Sequence, residues 1–404
     1  YPPALYIFDL YNVSRLFSWY EIAYRSALAV IGAETISAIV LYLLPQETYG
    51  RGVMAIQLVL CWVLLNGWRN GYRFLFQSSM PRIPVIIVGA GDSGHGAFEL
   101  LRSPFSPYEV KAFVDDDPSK HGTRRSPAVL GASDQLRAIA RQTGAMLAIL
   151  AIPRNRSPRL IANILDARLH GMEILQLGDV FERLTGRIPV QHIADQWLLF
   201  AQGFYLLQKG YIQRFKRLAD FAFSGLLLLL AAPVIGLTAL AVCCDSPGPV
   251  FYRQKRVGHN RNIFTMYKFR SMSHNAETDG ARWAAEEDPR VTRVGKWLRL
   301  THIDELPQIW NIFKGDMSLV GPRPERPEFV EMLEQEVPYY FVRHSVQPGL
   351  TGWAQVNYQY GASVEDGLHK LEYDLYYVKN MSIFLDLKIL LKTIGVVLLR
   401  EGSR

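Results

Sequence analysis

Cysteine is scarce in this chain: Cys61, Cys243 and Cys244 are the three in 404 residues. They share no metal-binding spacing, and Cys61 and Cys243 sit in or against apolar runs. They read as reduced, structural thiols of a cytosol-facing protein rather than a disulfide framework or a metal cage. No signal-peptide pattern is visible. Polar basic patches of the kind that grip nucleic acid are missing too, because the basic residues flank apolar segments, and this disfavours nucleic acid as a partner. What is present is apolar and basic. Hydrophobic residues make up 49% of the chain and form long runs, which points to membrane contact. The net charge of +7 suits anionic lipid headgroups and phosphorylated substrates. A chain of 404 residues is expected to hold two or three domains.

The sequence starts without Met and in mid-pattern at Tyr1-Pro2-Pro3, so an N-terminal truncation is expected. Residues 1–20 are aromatic and amphipathic, as in an interfacial segment. Ser26 to Leu44 is an apolar run of about the 20 residues a spanning helix needs. Val53 to Trp68 is a second, less clean because of Gln57 and Asn66. Arg15, Arg25, Arg69, Arg73 and Arg82 lie outside this pair and only Arg51 lies between, which puts both outer ends in the cytoplasm. Glu34, inside the first run, is expected to pair between helices. The third run, Leu218 to Cys244, is basic on both flanks: Lys209, Arg214, Lys216 and Arg217 before it, Arg253, Lys255, Arg256 and Arg261 after it. Pro233 stands near its middle and removes a helix hydrogen bond. A re-entrant helix–break–helix through one leaflet satisfies both flanks; an ordinary third span would put the C-terminal part outside the cell.

Between the runs, Pro84 to Val88 reads as a buried strand leading into the turn Gly89-Ala90-Gly91-Asp92-Ser93-Gly94. Glu109 to Val114 is a second strand, ending at Asp115. Ala145 to Ile152 and Gly171 to Leu177 are further strands. Gly89, Gly91 and Gly94 with an acid at Asp115 make a Rossmann-like fingerprint, with either a nucleotide or nucleotide-sugar ligand or a scaffold that has lost its ligand. Tyr205 and Lys209 have the spacing of a dehydrogenase pair, but lie far from the strands. Phe181 to Phe204 reads as a linker.

In the C-terminal part, Pro249 to Val257 and Asn262 to Phe269 read as a hairpin, with Lys268 and Arg270 on one face by their period of two. Two cations on one face near a membrane suit a diphosphate or a lipid phosphate. His274 to Pro289 reads as a polar loop able to close over substrate. Asp304 and Glu305 open a short apolar helix (Leu306, Ile309, Trp310, Phe313), with Thr301 and Asp304 spaced as a capping box. Adjacent helical carboxylates point about 100° apart, so one can attack while the other holds a cation. Arg299 lies just upstream. Arg323, between Pro322 and Pro324, sits in a rigid loop suited to phosphate capture. Pro348 to Gly352 reads as a turn, and Ile383 to Leu399 as an amphipathic helix. Asp374 and Asp386 are candidate supports of the site.

The string Lys296 to Pro324, with Tyr267 to Met272, Pro348 to Gly352 and Tyr373 to Leu387, resembles the bacterial sugar transferases, the monotopic polyprenyl-phosphate phosphoglycosyl transferases that begin exopolysaccharide and O-antigen synthesis. The resemblance is dense over residues 210–404. His302 departs from it, where members often carry Ser or Arg. The resemblance implies an α/β protein with membrane helices: a transmembrane hairpin (1–80), a Rossmann-like parallel-sheet domain (81–180), a linker (181–208), and an α/β catalytic domain (209–404) containing a re-entrant helix (218–244). It implies transfer of a hexose-1-phosphate from a UDP-sugar to undecaprenyl phosphate at the cytoplasmic face of the inner membrane. Asp304 would attack the β-phosphate, releasing UMP and leaving a phosphosugar on the aspartate. Glu305 would hold Mg²⁺, and Arg299, Arg323, Lys268 and Arg270 would bind phosphate. Glucose is the first expectation for the sugar and galactose the second; a homodimer is plausible. The rival readings are an NAD-dependent nucleotide-sugar dehydratase or epimerase built on the Gly89 turn, and a non-catalytic assembly scaffold.

Overall fold

The computed structural model describes the chain except residues 9, 12–18, 44–50, 77–81, 104–105, 122–126, 153–155, 193–203, 205–209, 273–289, 359–360, 362 and 400–404. The expected loop 274–289, the Tyr205/Lys209 pair and most of the linker lie outside the described residues. The chain divides into two compact units, 1–201 and 202–404.

The first unit opens with helices α1 (Pro2–Ile7), α2 (Trp19–Leu43) and α3 (Arg51–Phe76). Within α2 and α3, Ile22–Val40 and Gly52–Gly71 are long and apolar enough to cross a membrane. The polar residues that blurred the apolar runs bind the helices together. Asn66 Nδ2 donates to Ser26 Oγ at 2.8 Å, and Trp62 Nε1 donates to the Ala23 carbonyl at 3.0 Å. Such bonds contribute little in water but have few competitors in hydrocarbon. Glu34 accepts from the Tyr1 hydroxyl, which precedes α1, so its partner comes from outside the helix pair.

A parallel sheet follows, in the order β3-β2-β1-β4-β5. It comprises β1 (Ile83–Val88), β2 (Tyr108–Val114), β3 (Val129–Gly131), β4 (Leu147–Leu150) and β5 (Glu173–Gln176). Helices α4 (Asp92–Leu101), α5 (Leu136–Thr143), α6 (Pro158–Leu169) and α7 (Leu177–Thr185) alternate with the strands. Both sheet faces are covered, so β1 reads as a continuous apolar run. Val85 and Ile87 pack with Ala97, Leu101 and Phe113; Ile86 and Val88 pack with Leu136, Ile139 and Leu160. Leu177 and Val180 of α7 join the first of these cores and Leu184 packs against it, so the domain runs past residue 180 into the stretch read as linker. Sequence periodicity cannot tell a short amphipathic helix that closes a core from one that leaves it.

The second unit begins with α8 (Gly210–Asp245), one helix that runs through Pro233. No non-helical break separates two helices at Pro233, whose missing N–H leaves a place where the helix can bend. Its stretch Gln213–Asp245 is long and apolar enough to cross a membrane. Next come the antiparallel pair β6 (Phe251–Val257) and β7 (Ile263–Phe269), then α9 (Arg293–Leu300), α10 (Gln308–Lys314) and β8 (Ser318–Val320). The unit ends with α11 (Pro327–Glu336), β9 (Gly349–Thr351), α12 (Trp353–Asn357), α13 (Val364–Asn380) and α14 (Ile383–Leu399).

Both ends of α8 are fastened to this one unit. Near its start, the Arg217 guanidinium donates to the Ile312 and Phe313 carbonyls at 2.7 and 2.8 Å, and Asp220 accepts from the Leu319 amide at 3.0 Å. At its end, Arg270 donates to the Ser246 carbonyl at 2.6 Å and Asp245 accepts from the Val294 amide at 3.2 Å.

Pro348 to Gly352, expected as a turn, holds strand β9, paired parallel with β8. A Cβ on Gly349 would lie 2.1 Å from the Gly321 nitrogen, and one on Gly321 would lie 2.3 Å from the Gln347 carbonyl oxygen. Glycine at both places lets two backbones touch, a pairing across 31 residues that no local pattern reports. Asn311 closes the outer edge of β7: its side chain accepts from the Tyr267 amide at 3.1 Å and donates to the Thr265 carbonyl at 2.7 Å, as a neighbouring strand would. Asn311→Ala is expected to cost about 2 kcal/mol by orphaning both groups, read as a lower denaturation midpoint in a detergent-solubilised preparation.

Candidate active site

The hairpin, the turn before α10 and the loop after β8 converge on a cavity of about 1280 Å³ within the second unit. Asp304 and Glu305 lie on its wall. They do not open an α-helix. His302, in the left-handed region at φ 55°, stops α9 and starts a single 3₁₀ turn, Ile303–Glu305, ahead of α10. Histidine adopts this conformation more readily than most residues. Thr301 does not form the expected capping box; its hydroxyl donates back to the Trp297 carbonyl at 2.9 Å, because Thr301 ends α9.

The tight turn gives the two carboxylates different surroundings. Glu305 is held on both oxygens. Lys268 Nζ donates to it at 2.7 Å, and Arg323 grips it with two guanidinium nitrogens. Burial works against the charge on Glu305, but Arg323 and Lys268 outweigh it and hold the carboxyl well below its usual range. Asp304 is 7% exposed, and its carboxylate hydrogen-bonds no donor among the described residues. Burial pushes its pKa up, with Lys268 opposing and Glu305 adding to the rise. A carboxylate that shares neither oxygen with a donor and faces a cavity has lone pairs open to a ligand.

The four cations expected at the site all line the cavity but do different things. Lys268 and Arg323 are on Glu305. Arg299 Nε donates to Ser271 Oγ at 3.0 Å. Arg270 lines the same cavity as Lys268 but takes a different partner. β7 ends at Phe269, and Arg270 turns to the C-terminal end of α8, donating to the Ser246 carbonyl and, at 3.0 Å, to Ser246 Oγ.

Of the two supporting acids, Asp374 lies at the cavity and Asp386 does not. Asp374, 1% exposed, pairs with Arg343 at 2.8 Å. Burial pushes the Asp374 carboxyl up to about 6 against the pull of Arg343. Arg343 in turn donates to the Arg323 carbonyl at 2.9 Å, which fixes the loop that aims Arg323. Nothing local in the sequence marks Arg343; Ser271 and Asn311 lie inside the quoted stretches, but their particular partners come from contacts distant in the chain. Asp386 joins Lys216 at 2.5 Å and the Tyr377 hydroxyl at 2.7 Å, fastening α14 to the start of α8.

Mg²⁺ takes carboxylate, water and phosphate oxygens. Among the described residues no three His, Cys, Asp or Glu side chains gather into a cage. Adjacent Asp304 and Glu305 on a cavity wall nevertheless fit the open kind of site that substrate phosphates complete. Glu305 Oε2 accepts one hydrogen bond, from Arg323, and keeps a lone pair open to a metal.

In the first unit, Gly89 has φ 108° at the end of β1, and a Cβ on Gly94 would lie 1.9 Å from the Gly89 carbonyl oxygen, so both glycines serve the tight turn. Gly91 precedes α4 in an open position. Asp115, the acid of the fingerprint, is engaged by its own chain: it accepts from the Ala90 amide at 2.7 Å, the Asp117 amide at 2.9 Å and Lys120 Nζ at 3.0 Å. Nothing in this geometry favours a dehydratase or epimerase.

A bacterial sugar transferase family model matches residues 211–400, and a CoA-binding domain model matches residues 6–169. The chain is 43% identical over 231 residues to a UDP-N-acetylgalactosamine-undecaprenyl-phosphate N-acetylgalactosaminephosphotransferase of Aeromonas hydrophila, a match covering 57% of this chain and 53% of that protein. It is 35% identical over 323 residues to a UDP-glucose:undecaprenyl-phosphate glucose-1-phosphate transferase of Klebsiella pneumoniae, covering 77% and 66%. It is 30% identical over 372 residues to an undecaprenyl-phosphate galactose phosphotransferase of Salmonella typhimurium, covering 85% and 75%. The matched stretch is thus about half of the Aeromonas protein and two thirds of the Klebsiella one. A Rex-family repressor structure aligns over 30% of this chain and 66% of its own at 16% identity, with a TM-score of 0.22.

Proposed function

The chain belongs to the bacterial sugar transferase family, and from that premise we propose that it moves a hexose-1-phosphate from a UDP-sugar to undecaprenyl phosphate, in the first membrane step of a surface polysaccharide. The observation that carries this reading is the division of labour at the acidic pair: Glu305 is neutralised by two cations, while Asp304 is buried, unshared and open to the cavity. An Asp304 oxygen attacks the β-phosphorus. The bond from that phosphorus to the bridging oxygen breaks, UMP leaves with the electron pair, and a phosphosugar stays on the carboxylate as an acyl phosphate. An oxygen of the lipid phosphate then attacks the same phosphorus and frees Asp304. Splitting one displacement into two lets a water-soluble donor and a membrane-bound acceptor react with the same carboxylate in turn.

Lys268 and Arg323, already beside Glu305, are placed to take the charge that develops on the diphosphate oxygens. Mg²⁺, held by Glu305, would withdraw further charge from those oxygens. The test is UMP release from a panel of UDP-sugars with undecaprenyl phosphate, UDP-glucose first and UDP-galactose second. Glu305→Gln is expected to raise the Mg²⁺ concentration for half-maximal rate by about tenfold or more. An unchanged metal titration rules Glu305 out as the ligand.

For the membrane topology we favour entry and exit of α8 through one leaflet, with the second unit on the cytoplasmic face of the inner membrane. The support is that Arg217 and Asp220 near one end, and Asp245 at the other, are fastened to the same unit. A helix crossing from face to face cannot keep both. A membrane-impermeant thiol reagent added outside spheroplasts is expected to leave Cys244 and a cysteine introduced at Gln213 unlabelled until the membrane is opened. Labelling of either from outside excludes the arrangement.

A further inference from the structure

Of the cations that line the cavity, the four expected at the site fall into two groups, and the second group has no task in the chemistry described so far. Arg270 is 6% exposed. Its Nη2 caps the end of α8 through Ser246, but its Nε and Nη1, both buried, have no hydrogen-bond partner among the described residues. Arginine stays charged and presents five donors, so two buried nitrogens left unpaired point to an anion that completes them. Ser271, the next residue, holds Arg299 by its Nε alone, so the Arg299 terminal nitrogens make no hydrogen bond with a described residue. Both arginines face the same cavity. Lys268 and Arg323, by contrast, are committed to Glu305.

The location of the second group selects its ligand. It lies where α8 leaves its apolar stretch, at Val242 to Ser246. The cavity wall there includes Pro249, Val250 and Phe251, and Leu227 of α8 itself contributes to the lining. An apolar approach that ends at buried, charged nitrogens beside a membrane helix terminus suits an anion on a hydrocarbon chain better than a nucleotide arriving from water.

We propose that Arg270 and Arg299, joined through Ser271, form a separate seat for the phosphate monoester of the lipid acceptor, distinct from the Lys268–Arg323 pair that meets the donor diphosphate. This rests on the two-step reading above. The seat holds the lipid phosphate while one of its oxygens attacks the phosphorus on Asp304; the carboxylate leaves with the bond's electron pair, and no other reactant is needed.

The test separates the half-reactions in the full-length, detergent- or nanodisc-embedded protein. With radiolabelled UDP-sugar and no lipid, Arg270→Gln is expected to form the protein-bound phosphosugar at a rate within about threefold of wild type. Its transfer to undecaprenyl phosphate is expected to fall at least about thirtyfold, with the KM for the lipid raised. Arg299→Gln is expected to divide the same way, and Arg323→Gln the opposite way, losing adduct formation. Equal loss of both half-reactions in Arg270→Gln, or transfer at the wild-type rate, overturns the seat.

A second measurement needs no variant. In wild type, decyl phosphate is expected to compete with undecaprenyl phosphate for transfer while leaving adduct formation from UDP-sugar unchanged, with inorganic phosphate much weaker and decanol without effect. Competition of decyl phosphate with UDP-sugar means one shared phosphate site and overturns the proposal. Equal inhibition by inorganic phosphate makes the seat a free-phosphate site and overturns the lipid assignment. If wild type itself yields neither adduct nor UMP, it is the transferase reading that fails.

Discussion

Asp304→Asn is expected to abolish the protein-bound phosphosugar and to lower UMP release by on the order of 10⁴-fold. The amide has nearly the shape of the carboxylate but no charge, and its oxygen does not displace a phosphoryl leaving group. The fold should not suffer. Burial raises the Asp304 pKa, so the folded protein disfavours the charge that the substitution removes. The variant's thermal midpoint is therefore expected at or above that of wild type. A stable variant with wild-type turnover rejects Asp304 as nucleophile; an unfolded one contradicts the electrostatic account of the site.

The second large effect is at Asp374, which touches none of the groups proposed to react. Asp374→Ala leaves the Arg343 guanidinium buried without its ion-pair partner, since Arg343 is only 5% exposed. Breaking one side of a buried pair costs about 3–5 kcal/mol. For a unit of this size that is a fall in thermal midpoint of roughly 10 °C. Activity should fall as well, because Arg343 donates to the Arg323 carbonyl and so helps to aim the guanidinium on Glu305. The double variant Arg343→Met/Asp374→Leu separates the two effects. Apolar replacement of both members is expected to recover most of the stability, while the Arg323 carbonyl still lacks its donor and the rate stays low. Full recovery of rate together with stability denies Arg343 a positioning role.

Features carried by short stretches of chain were legible without coordinates. Val85 to Val88 read as a buried strand because every side chain in it is apolar, and a sheet covered on both faces requires that. Ile383 to Leu399 read as a helix and is one, its apolar period being complete within seventeen residues. The hairpin of β6 and β7 announced itself by the polar turn between two strand-like runs. Asp304 and Glu305 stood out because a long string of neighbours resembled one family. Where reading went astray, two forces local to different parts of the chain competed. Thr301 had the spacing of a capping residue, yet His302 ended α9 first and turned the Thr301 hydroxyl back to Trp297. Arg270 had the period of Lys268 and lines the same cavity, but the end of α8 took one of its nitrogens, which spacing along β7 does not report.

The sequence by itself determined the membrane runs, the alternation of strand and helix in the first unit, and the acidic pair with arginines near it, since each depends on residues within a few turns of one another. Only the tertiary structure decided which carboxylate is neutralised and which is left unshared, which cations serve which, and that the two ends of α8 meet one unit. Those outcomes depend on Lys268 lying against Glu305 across 37 residues and Arg343 against Asp374 across 31. A buried charge takes its partner from whatever the fold brings within about 3 Å, and the order of residues along a chain does not encode that distance.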